Sequence, residues 1–202
     1  MSFRIVGLGD STTAGTPGFL SPLEAPPDGS GNSESQYSYW IMKLHPDWIV
    51  LNRGINGQRT DEILARFDRD VVQERPNCVI ILAGVNDVYQ GNSMDTIKNN
   101  LLALYQKGLA AGIRPVACTI LPYNTASDGE RKNIRELNKF IEHTARRLGI
   151  AFCDTNRAVA DPNNPDRLSG SPDENHPDVS GYRNMGTALT HVIESQLRVS
   201  TP

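Results

Sequence analysis

Positive charge, cysteine and long apolar runs are what this sequence has little of. Its 20 Lys and Arg are outnumbered by 23 Asp and Glu, for a formal net charge of -3, so no basic field exists to hold a polyphosphate. Nucleic acid and anionic membrane surfaces are therefore poor partners, and a neutral or modestly charged small molecule is a better one. The three cysteines, Cys78, Cys118 and Cys153, are odd in number, follow no C-x-x-C spacing and sit in the apolar runs CVIIL, VACTI and IAFCDT. They read as reduced core thiols. No stretch approaches the roughly 20 apolar residues that would span a bilayer. The first residues, MSFRIVGLGDS, reach Gly9-Asp10 before the apolar core of an export signal could form, which points to the cytoplasm unless a leader preceded them.

Several enzyme signatures are missing too. No G-x-S-x-G occurs, against the nucleophile elbow of the α/β-hydrolases. Gly7-Leu8-Gly9 begins a dinucleotide fingerprint, but Thr12 stands where its last glycine is needed, and no Walker lysine follows. The four histidines, His45, His143, His176 and His191, are scattered and form no H-E-x-x-H. No metal and no cofactor are expected.

What remains is an ordinary globular composition, 38% hydrophobic and 21% charged over 202 residues, enough for one domain spanning 1–202 with a continuous core. Five short apolar runs read as strands: 3–9, 48–54, 78–84, 114–120 and 150–155. They are continuously apolar rather than alternating, as strands covered on both faces are. Between them lie helices. Residues 60–73 place Ile63, Phe67 and Val71 on one face, with Thr60 as cap; 95–111 end at Gly112; 129–148 run from a Ser127-x-x-Glu130 capping box to Gly149; 179–197 follow Asp178 as cap. Alternating β and α predicts an α/β protein, a three-layer α/β/α sandwich around a five-stranded parallel sheet, with functional loops at the carboxyl ends of the strands. Segments 16–35 and 161–178 are dense in Pro, Gly, Ser and Asn and read as loops.

Four places at those strand ends carry chemistry. Gly9-Asp10-Ser11 closes the first strand, where free N–H groups could face an oxyanion formed beside the hydroxyl. Asp173-Glu174-Asn175-His176 precedes the last helix; one turn can bring Asp173 to His176, whose other ring nitrogen then serves a serine as base. Asn86 follows the most apolar strand in Gly84-Val85-Asn86-Asp87, and Gly54 follows the second strand, with a backbone open to close approach. His45, His143 and His191 fall at or inside helices and read as structural.

Ser11, Gly54, Asn86 and His176, in this order across nearly the whole chain, resemble the four blocks of the SGNH (GDSL) hydrolases. The resemblance implies their flavodoxin-like fold and a carboxylic ester hydrolase. Ser11 would be the nucleophile, His176 the base and Asp173 its orienting acid, with the N–H groups of Ser11 and Gly54 and the amide of Asn86 forming the oxyanion hole. Glu174 stands as an alternative to Asp173. Ser11 would form an acyl-enzyme with acetyl or short-chain esters, and lysophospholipids, acyl-thioesters or a non-catalytic binding module are the rival readings. Asp10, Tyr89 and Tyr123 are expected near the substrate. The 16–36 segment, with Phe19, Leu20 and Leu23, suits either a pocket wall or a solvated loop.

Overall fold

The computed structural model describes residues 2–15 and 32–199. β1 (Phe3–Gly9) pairs in parallel with β2 (Trp48–Gly54) on one side and β3 (Cys78–Leu82) on the other. β4 (Arg114–Cys118) and β5 (Ala151–Cys153) complete a five-stranded parallel sheet in the order β2-β1-β3-β4-β5. The helices are α1 (Ser11–Ala14), α2 (Tyr37–Leu44), α3 (Thr60–Ala65), α4 (Val85–Tyr89), α5 (Met94–Ala110), α6 (Asp128–Leu148), α7 (Thr155–Val159) and α8 (Val179–Val199).

The strand period of two sorts the core into two layers. Val6, Leu8, Val79 and Ile81 face one side, under Ile63 of α3, Leu101 and Leu104 of α5, and Leu137 and Ile141 of α6. Ile5, Ile80 and Leu82 face the other, under Tyr37 and Ile41 of α2 and Tyr182, Met185 and Leu189 of α8. This is the three-layer α/β/α sandwich expected from the alternation of elements.

Local chemistry sets the helix ends. Ser127 and Glu130 exchange hydrogen bonds at the start of α6, with Ser127 N–H donating to Glu130 Oε2 at 2.7 Å and Glu130 N–H to Ser127 Oγ at 3.3 Å. Gly149 closes that helix in the left-handed region. Asp178 Oδ1 accepts the Gly181 N–H at 2.8 Å and so caps α8.

Three expectations need correcting. Residues 60–73 are not one helix: α3 stops at Ala65, Arg66 turns out of it, and a wider π-helical turn runs Asp68–Val72. Ile63, Phe67 and Val71 are nonetheless fully buried. Thr60 is not the cap of α3, because its N–H and hydroxyl both donate to Asp87, at 2.8 Å each. The 161–178 segment is not all loop, for β6 (Ala160–Asp161) and β7 (Asn164–Leu168) form a small antiparallel hairpin. Short, mostly polar and half-buried strands of this kind carry no hydrophobic period to reveal them.

Candidate active site

The chain leaves β1 for β2 on one side and reaches β3 on the other, so a crevice opens beyond the carboxyl ends of β1 and β3. That is where such sheets bind ligands. Ser11 follows β1 across a single residue, and Asn86 lies in α4, which starts just after β3.

Ser11 Oγ lies 2.8 Å from His176 Nε2, across 165 residues of sequence. The other ring nitrogen, Nδ1, lies 2.6 Å from Asp173 Oδ2. Asp173 is itself tied down, since its Oδ1 accepts the backbone N–H groups of His176 at 2.8 Å and Asn175 at 3.0 Å. Partial burial pushes the Asp173 carboxyl up, but the His176 ring and these two amides outweigh it and hold the group below its usual range. A carboxylate at Nδ1 fixes the tautomer that leaves Nε2 free to take the serine proton. Asp173, not Glu174, is the carboxylate beside the ring. Glu174 is an exposed residue with φ 65, and its carbonyl accepts the Asn124 N–H at 2.7 Å.

The Ser11 N–H and the Gly57 N–H meet no acceptor among the described residues. Gly54 is different, because its N–H donates to Asn52 Oδ1 at 2.9 Å. The structure thus commits the amide that the sequence reading assigned to the oxyanion hole. The real demand on Gly54 is steric: a Cβ there would run into the backbone of Thr13 and Ala14, so only glycine lets α1 sit on β2. Gly57 carries φ +76 and has open space around it, as the turn Asn56-Gly57 requires. Asn86 Nδ2 donates to the Gln58 carbonyl at 3.0 Å, which brings its amide beside that turn.

Asp10 does not face the crevice. It is 1% exposed and caps α1, its Oδ1 accepting the Thr12 N–H at 2.9 Å, while Oδ2 has no partner. Burial raises its carboxyl to about 6, against the Thr12 amide and the charge on His176. Since the folded carboxyl holds its proton more tightly than the unfolded one, Asp10 favours folding below pH ~4, and this contribution is lost as pH rises through ~6. The unfolding free energy of Asp10→Asn should therefore gain on wild type by about 2 kcal/mol between pH 4 and pH 7. Parallel urea-unfolding profiles for the two proteins across that range would contradict it.

Tyr123 also departs from expectation. Its ring belongs to the core, 4% exposed, and meets Tyr89 edge-on at 6.1 Å. Tyr89, the last residue of α4, is 66% exposed. The three remaining histidines are structural: His45 stacks on Trp48 at 4.0 Å and lies 2.8 Å from Glu194, whereas His143 and His191 are exposed on helices. Phe19, Leu20 and Leu23 lie outside the described residues. All three cysteines are buried and free. Among the described residues no group of acids, cysteines and histidines is arranged to hold a metal, and no helix is long and apolar enough to cross a membrane.

Fold and motif together define a class. The model of the GDSL-like lipase/acylhydrolase family matches residues 8–183. The chain belongs to that family and with it to the carboxylic ester hydrolases. Among solved structures it is similar to a G-D-S-L family protein from Desulfitobacterium hafniense, with 27% identity, TM-score 0.78, and 94% of this chain and 98% of that one covered. A GDSL-like lipase from Bacteroides thetaiotaomicron matches at 25% identity and TM-score 0.75, covering 96% and 88%. In sequence it is 25% identical over 158 residues to an acetylxylan esterase from Geobacillus stearothermophilus, 71% of each chain. It is also 27% identical over 113 residues to the Bacillus subtilis lipoprotein YqeF, spanning 46% of that protein's length.

Proposed function

We propose that this protein hydrolyses acetyl or other short-chain carboxylic esters through an acyl-enzyme on Ser11, within one domain over 1–202. The observation that carries the reading is the unbroken relay from Asp173 to His176 to Ser11, at 2.6 and 2.8 Å. His176 takes the serine proton as Oγ attacks the ester carbonyl, then returns it to the departing alcohol. Water, deprotonated by the same imidazole, releases the acid in the second half. The oxyanion of each tetrahedral intermediate is met by the Ser11 N–H, the Asn86 amide and the Gly57 N–H, the last taking the place first assigned to Gly54.

The acetylxylan esterase relative favours a small acyl group and a carbohydrate-like alcohol. The free thiols suit the cytoplasm, and the lipoprotein relative makes the cell envelope the rival location. The test is the rate of p-nitrophenyl ester hydrolysis from acetyl to palmitoyl. An optimum at acetyl to butyryl is expected. A palmitoyl optimum would overturn the short-chain assignment, and no hydrolysis at all would favour a binding module.

Asn86→Ala should lower kcat on the acetyl ester by about 10² to 10³, the usual cost of losing one oxyanion donor, with KM little changed. The amide also ties Gln58, so circular dichroism melting of the variant accompanies the assay. Near-normal kcat in a folded variant would remove Asn86 from the oxyanion hole.

A further inference from the structure

The turn that carries Gly57 is not held by its own backbone alone. Four acceptors converge on one buried guanidinium, that of Arg66, whose side chain is 6% exposed. Nη2 donates to the Gly9 carbonyl at 2.7 Å, Nη1 to the Arg53 carbonyl at 2.9 Å and to Asp70 Oδ2 at 2.7 Å, and Nε to the Gln58 side-chain oxygen at 2.6 Å. Gly9 ends β1 one residue before Asp10-Ser11, Arg53 lies at the end of β2, and Gln58 follows Gly57 directly. One rigid fork therefore ties together the two strand ends and the turn between which the nucleophile and the oxyanion donors stand.

The Gly9 carbonyl is the common anchor. It accepts the Ile55 N–H at 3.1 Å as well as Arg66 Nη2, so the start of the Gly57 turn and the peptide leading to Ser11 hang from one oxygen. On the far side of the turn the Gln58 carbonyl accepts Asn86 Nδ2. Arg66 grips the side chain of that same Gln58.

We propose that Arg66 is a positioning residue that holds the Gly57 turn and Asn86 in register with Ser11, a role that rests on the hydrolase reading above. For stability alone a buried Arg–Asp pair is a poor device, because apolar groups of similar volume commonly serve as well or better. What only a guanidinium supplies is several donors fixed in one plane; a lysine offers a single nitrogen and cannot span these acceptors. Misplacement of a reacting group by an ångström can cost about a hundredfold in rate.

The test is a double-mutant cycle read in kcat and KM on p-nitrophenyl acetate. Arg66→Lys, which keeps a cation beside Asp70, should lower kcat by about tenfold to a hundredfold with KM within about twofold. In an Asn86→Ala background the same substitution should cost several-fold less than in wild type, because one of the two donors that Arg66 places is already gone. Gln58→Ala severs only the Nε contact and guards against a variant that fails to fold. It should lower kcat by about threefold to tenfold with its melting temperature unchanged.

Equal losses in both backgrounds, a loss confined to KM, or Gln58→Ala with wild-type kcat would each overturn the proposal and leave Arg66 a structural residue. Failure of the hydrolase reading would look different: wild type and Ser11→Ala would then hydrolyse the ester at the same rate, and the proposal would fall with it.

Discussion

Ser11→Ala is expected to lower kcat for short-chain ester hydrolysis by about 10⁴ to 10⁶, to a rate set by the oxyanion donors and binding alone. The substitution removes one oxygen from a partly buried position whose neighbours Thr12, Thr13 and Ala14 are buried. The helix cap comes from Asp10, not from Ser11, so α1 keeps its first turn. Stability should therefore stay within about 1 kcal/mol of wild type. KM should change little, because the hydroxyl contributes to the transition state far more than to the bound ester. Residual activity above about one per cent of wild type would show that another group carries the chemistry.

His176→Ala should cost as much as Ser11→Ala, and the two losses should not add. The imidazole works only through the serine, 2.8 Å away, so removing both partners leaves no less than removing either. A double variant further impaired by another factor of 10³ or more would contradict a shared step. The fold should tolerate the change, since the backbone N–H of His176, not its ring, anchors the turn to Asp173 Oδ1. Asp173 is left with one fewer partner but is half in solvent, which limits the penalty.

Much of the site was legible because its chemistry resides in side chains of rare type. Only four histidines exist, and only His176 stands in a polar loop with a carboxylate three residues away. Ser11 and Asn86 were legible from their places just beyond apolar strands. The error at Gly54 has a physical cause. Which glycine offers its N–H is decided by Asn52, whose side chain caps Gly54, and a glycine carries no pattern of its own to report this. The Asn56-Gly57 pair is a turn signal, and it marks the position proposed above for that donor.

Arg66 and Asp70 are hidden in the sequence for a related reason. The stripe Ile63, Phe67, Val71 is apolar, yet positions 66 and 70 fall on the same face at helical spacing. A charged pair four residues apart inside a buried stripe is itself a signal, because neither charge is buried without partners. Those partners are the carbonyls of Gly9 and Arg53 and the side chain of Gln58, which lie 57, 13 and 8 residues away and come together only in the fold. Tyr123 illustrates the reverse case: it follows the end of β4, as a pocket residue would, but its ring turns into the core.

The most direct test of the account is the site of covalent capture. Incubated with a fluorophosphonate, the protein should gain a single adduct, mapped by peptide mass spectrometry to Ser11, in step with loss of esterase activity. Ser11→Ala should gain none, and His176→Ala should react far more slowly. An adduct on any other residue, or full inhibition without one, would contradict a hydrolase built on Ser11.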